Sequence, residues 1–170
     1  MRTLGKYYPE IFEWLEKRGI LYSIHQLSPS FISIKFPVSE VPEDVVKEFK
    51  DFVRKSIKVQ KIEDVFTIGN HYVDIIPKVE YVIEPPLPSV NIKKLVEHIS
   101  IKKGRICIST KFKAPKGFKK YVIYEVYGGK YKVFRKEIYL KMGRKYLYCV
   151  SRLPPSEWSL YVKIPLDELR

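Results

Sequence analysis

Three prolines fall in four residues of the Glu84-Pro85-Pro86-Leu87-Pro88 run, which limits the possible folds more than any other stretch. Each ring fixes φ and removes a backbone donor, so neither a helix nor an interior strand passes through, and the chain stiffens toward polyproline II. The 170-residue chain therefore reads as two lobes, 1–84 and 89–170, joined by a linker at 85–88. Charge divides at nearly the same point: residues 1–86 carry 12 basic and 13 acidic side chains, residues 87–170 carry 20 and 6. A chain made basic for solubility alone would have no reason to sort its charge in this way. With 45% apolar residues, each lobe has material for a core.

In the first lobe, Pro9 suits a first helical position and Gly19 a stop, and Tyr8, Ile11, Phe12 and Leu15 recur at helical spacing. On the exposed side of that helix Trp14 reads as a partly covered rim residue. Ile20 to Leu27 and Phe31 to Phe36 alternate around the Ser28-Pro29-Ser30 turn as a half-buried hairpin. A second helix opens at Pro42, with Val45, Phe49, Phe52 and Val53 on one stripe, acids early and bases late. Gly69-Asn70 is expected as the two-residue turn between Ile62 to Ile68 and His71 to Ile76, with Val79 to Ile83 as a further strand. The order α-β-β-α-β-β makes this lobe α+β, two helices on an antiparallel sheet.

The second lobe starts with a short helix, Ile92 to Ile99, capped by Ser89 or Asn91, and is otherwise β-rich. Arg105 to Lys113 alternates, Tyr127-Gly128-Gly129-Lys130 marks a primed hairpin turn, and a bulge or bend is expected between Phe134 and Glu137, where the apolar phase changes. Lys145 to Leu153 and Trp158 to Ile164 complete five β runs. They predict a curled, mostly antiparallel sheet or a small, partly open barrel.

Function is carried by the second lobe. From Ile99 to Arg152 there are 16 Lys and Arg against Glu125 and Glu137, interleaved with seven tyrosines. A cationic surface with flat rings suits a polyanion that carries stackable bases. The expected contact residues are the loop lysines Lys111, Lys113, Lys116, Lys119 and Lys120, then Tyr121, Tyr127, Lys130, Lys132, Phe134 and Lys136, and finally Lys141, Arg144 and Lys145. Pairing across Gly128-Gly129 puts Tyr121, Tyr127, Lys130, Lys132, Phe134 and Lys136 on one wet face, with Tyr124, Val126, Tyr131 and Val133 buried.

Catalysis has little footing. The chain contains no GxxxxGK[ST], GxGxxG, HExxH, GxSxG, zinc spacing or EF-hand loop. Across a Gly69-Asn70 turn Asp74 lies opposite Val65 and Asp64 opposite Ile75, so the two carboxylates face opposite ways and share no metal. His25 and His71 are the candidates for a metal-independent ribonuclease, one imidazole or the other acting with a nearby tyrosine or lysine. The reading favoured is a non-catalytic nucleic-acid-binding protein, for DNA or RNA, directed mainly to the backbone, with no cofactor and no metal. The alternatives are that ribonuclease and an interaction protein for an acidic partner; residues 1–84 would serve a protein partner or self-association. No apolar run is long enough for a membrane span, Cys107 and Cys149 form no disulfide framework, and a cytoplasmic location is expected. Two Gln, two Asn and two Met beside abundant Lys, Glu and Ile resemble the composition of a hyperthermophile protein.

Overall fold

The computed structural model describes residues 6–99, 105–108, 116–152 and 158–170, which fall into two compact units. The first comprises Met1–Glu80 with Val126–Lys132, the second Tyr81–Glu125 with Val133–Arg170. The division is discontinuous in sequence, unlike the single break expected at the prolines.

In the first unit, helix α1 (Pro9–Lys17) starts on its proline and stops at Gly19, whose φ of +63° ends the helix. Strands β1 (Ser23–Ser28) and β2 (Phe31–Pro37) follow, then α2 (Glu43–Ser56), β3 (Val59–Thr67) and β4 (Asn70–Pro77). The sheet runs β1-β2-β4-β3, antiparallel throughout. Both helices cover one face. Ile11 and Leu15 of α1 and Val46, Phe49 and Val53 of α2 meet Ile32, Ile34, Phe36, Val73 and Ile75 of the sheet, all buried. Each such side chain contributes about 1.5–3 kcal/mol by leaving water, so this shared face, rather than helix propensity, holds the helices in place. Tyr8 is fully buried beside them, and its hydroxyl donates to the Pro29 carbonyl at 2.6 Å. Trp14 is half-buried, stacked on Phe52 with the Arg18 guanidinium 4.1 Å from its ring centre.

The β3–β4 turn is Ile68-Gly69, one residue earlier than expected. Gly69 takes the positive φ, +83°, at the second loop position, while Asn70 enters the ladder opposite both Thr67 and Pro37. Asp64 consequently pairs with Val73 and Asp74 with Glu63. A two-residue change of register keeps side-chain parity, so Asp64 and Asp74 still lie on opposite faces.

In the second unit, β5 (Val79–Glu84) leads to α3 (Ile92–His98), where the Asn91 side chain accepts from the Lys94 N–H at 3.2 Å as the N-cap. Strands β6 (Arg105–Ile108), β7 (Lys119–Tyr127), β8 (Tyr131–Met142), β9 (Tyr146–Arg152) and β10 (Trp158–Pro165) complete a sheet of order β5-β7-β8-β9-β10-β6. β5 could not extend the first sheet next to β4, because β2 and β3 already occupy both of its sides. The core joins Leu95 and Ile99 with Ile123, Ile138, Leu140, Leu147, Cys149, Leu160, Val162 and Ile164. The expected phase change in β8 is visible in exposure: Phe134 and Arg135 are exposed in succession, then Ile138 and Leu140 are buried. Among the described residues no helix is long and apolar enough to cross a membrane.

The turn at Gly128-Gly129 is the primed turn expected, with φ of +63° and +74° and the Lys130 N–H donating to the Tyr127 carbonyl at 3.1 Å. Its residues belong to the first unit. Gly128 donates its N–H to the Lys78 carbonyl at 2.8 Å and accepts from the Lys58 N–H at 3.3 Å, and Tyr127 packs on the first core.

Candidate nucleic-acid interface

The register of β8, β9 and β10 fixes two faces. Leu140, Cys149 and Val162 lie side by side and are buried, as are Leu147 and Ile164. Residues of opposite parity form the outer face. One row runs Tyr139, Val150, Tyr161, and the next runs Lys141, Tyr148, Lys163, with Tyr146 beyond. The four tyrosines are half-buried, and Lys141, Lys163 and Arg152 are exposed. Rings and ammonium groups thus alternate across three neighbouring strands, at the 4.7–4.9 Å spacing typical of paired strands.

Local contacts hold these groups. The Lys163 ammonium sits 4.1 Å from the Tyr146 ring centre, a cation–π contact that fixes the lysine over the sheet. Tyr146 and Tyr148 lie 6.4 Å apart, centre to centre. The Tyr139 hydroxyl donates to Glu137 at 3.0 Å; partial burial and that carboxylate raise its pKa, which keeps the phenol neutral. Glu137 also takes Lys120, at 3.5 Å. Lys116 is exposed beside Gly117, where an added Cβ would lie 3.9 Å from the Lys141 side chain. Arg144 and Lys145 are exposed in the β8–β9 turn.

The ring-and-lysine face expected on β7 and the first half of β8 is not formed. Ile123 is fully buried, Tyr121 packs against the second core, Lys136 is half-buried and Tyr127 packs against the first core. The residues expected inside, Tyr124, Val126, Tyr131 and Val133, are only half-buried, and Tyr124 meets the exposed Phe134 ring edge-on. The reason lies in β7 itself. Val122, Ile123, Tyr124, Val126 and Tyr127 make it apolar at nearly every position, so alternation cannot choose its inner face. Lys130 pairs with Glu10 at 2.9 Å within the first unit, and Lys132 belongs to that unit too. Lys119 stays near the sheet, its ammonium 5.6 Å from the Tyr121 ring. Lys111 and Lys113 lie outside the described residues.

Tyr139, Tyr146, Tyr148, Arg152, Tyr161 and Lys163, none of them among the expected contact residues, lie on this outer face. Their signal was present: Tyr146 and Tyr148 alternate with Leu147 and Cys149, and Tyr161 and Lys163 with Leu160, Val162 and Ile164.

The histidines do not form a pair. His71 is 6% exposed on the helix-covered face, its Nδ1 without a protein partner, whereas the exposed His25 meets Tyr72 on the opposite face, ring centres 5.2 Å apart. A cleft of the first unit, about 580 Å³, is lined by Arg54, Lys55, Lys58, Lys61 and Lys130 beside the Gly128-Gly129 turn. Four of these five cations already hold carboxylates: Asp51, Glu80, Glu63 and Glu10. Among the described residues no group of three His, Cys, Asp or Glu is arranged to hold a metal. Comparison with protein-family models, curated proteins and solved structures finds no match.

Proposed function

We propose that this protein binds nucleic acid through the outer face of β8, β9 and β10. The observation that carries the reading is the alternation of Tyr139, Tyr148 and Tyr161 with the exposed Lys141 and Lys163 on one sheet face. Lys141, Lys163 and Arg152, with Lys116, Arg144 and Lys145 around them, meet the phosphates, and the rings offer apolar area to bases. Most of these cations are lysines, point charges on flexible stems, so the binding is directed to backbone and ring stacking rather than to sequence.

A salt titration tests this. Affinity for a mixed-sequence oligonucleotide falls steeply with salt, and the triple variant Lys141→Ala/Lys163→Ala/Arg152→Ala reduces the log–log slope by about 2 to 3, since each phosphate contact contributes roughly 0.7–0.9. Lys130→Ala, which removes a cation paired with Glu10, leaves the slope nearly unchanged. Undetectable binding at low salt overturns the proposal.

A further inference from the structure

We infer that the nucleic acid taken by this face is single-stranded, with an unpaired base lying on the Tyr148 ring; the inference rests on the binding reading above. Tyr148 occupies the centre of the outer face, with Lys141 as its register partner on β8 and Lys163 as its partner on β10. Its ring lies against the β8–β9 turn: a Cβ on Gly143 would stand 3.1 Å from Tyr148 Cε2 and 2.9 Å from the Tyr146 carbonyl oxygen. Only glycine leaves that space, and the ring stays half-exposed above it. Tyr146 has a different part, since the Lys163 ammonium covers its ring at 4.1 Å and is thereby held beside Tyr148. The arrangement is one half-exposed ring with a lysine as register partner on either side.

A duplex cannot use it. The sheet has six strands, and at about 4.8 Å per strand it is roughly 24 Å across, twice the width of a major groove of about 12 Å. The central strands β8, β9 and β10 therefore cannot enter a groove, and the bases of a duplex, stacked every 3.4 Å or so along each strand, show no free face to a ring outside it. An unpaired strand turns its bases outward and can lay one on Tyr148 while its phosphates meet Lys141 and Lys163.

The test compares one fluorescent oligonucleotide, single-stranded and annealed to its complement, by anisotropy at equal low salt. The single strand binds more tightly. Tyr148→Ala weakens it roughly 5- to 150-fold, the range that base-on-ring stacking supports, with the salt slope unchanged. Tyr148→Phe keeps the ring and binds like the wild type; its agreement, with matching thermal melts, separates loss of stacking from loss of fold. Equal affinity for the duplex, or single-strand binding indifferent to Tyr148→Ala, overturns the single-strand inference and leaves a charge-directed surface. If neither form binds at low salt, the binding reading falls with it.

Discussion

At the residue scale, the charge count conceals one lysine that costs stability. Lys136 lies half-buried close to Cys149, which is 1% exposed and whose thiol is pushed up to about 12 by burial, with the lysine pulling it partly back. Burial, above all, holds the Lys136 ammonium below the ordinary lysine value, and Arg135 adds to that. The unfolded chain then keeps this proton to higher pH than the folded one, so below the ordinary lysine pKa of about 10.4 this group makes stability rise with pH. Lys136→Met, close in length and uncharged, should raise the melting temperature at pH 7 by a few degrees. The gain should shrink as pH rises toward about 10.4 and vanish above it, where the wild-type lysine is neutral in both states. Melting both proteins by circular dichroism across that range checks it, and a gain that grows with pH would contradict the assignment. Asp64 titrates the other way, its carboxyl held low chiefly by the hydrogen bond from Lys50 at 3.0 Å, and that carboxylate is too exposed for the pair to matter much.

At the element scale, the Gly128-Gly129 turn shows how two neighbouring glycines come to differ. Both have positive φ, so any side chain there costs about 1–2 kcal/mol. A Cβ on Gly128 would also stand 3.2 Å from the buried Tyr8 ring and within 3.7 Å of Ile57 and Pro77, none of which yields easily. On Gly129 it would meet only the Lys58 stem, at 3.1 Å, which swings away. Gly128→Ala should therefore lower the melting temperature clearly more than Gly129→Ala, each kcal/mol being worth about 2–4 °C in a chain of this size. Equal losses would mean that the turn responds to φ alone. The turn was legible in the sequence because Gly-Gly between two β runs has few other uses. The Ile68-Gly69 turn was misjudged by one residue because Gly69 fits either loop position, and the ladder that draws in Asn70 is a tertiary fact.

At the scale of the whole molecule, the chain crosses between its units three times, after residues 80, 125 and 132. A fragment cut at the prolines, residues 1–84, would lack Val126–Lys132 and with it the Gly128 hydrogen bonds to Lys58 and Lys78 and the packing of Tyr127. Such a fragment should melt well below the intact protein and bind a hydrophobic dye through the uncovered Tyr8 and Ile57, as calorimetry and dye fluorescence would reveal. A fragment as stable as the whole chain would mean that the hairpin tip contributes nothing to this core.

The sequence by itself determined the α+β class, the order and nature of the elements through β4, the Gly-Gly hairpin, the phase change in β8 and the concentration of charge after residue 86. These follow from local chemistry: period, capping, and glycine and proline conformation. Tertiary structure alone decided which sheet β5 joins, which unit takes the hairpin tip and which side of β7 is buried, because a strand with apolar residues on both faces and a free strand edge carry no local mark of their partners. It also decided where rings and cations meet. Tyr148, Lys141 and Lys163 come from three strands and become neighbours only when the ladder sets their register.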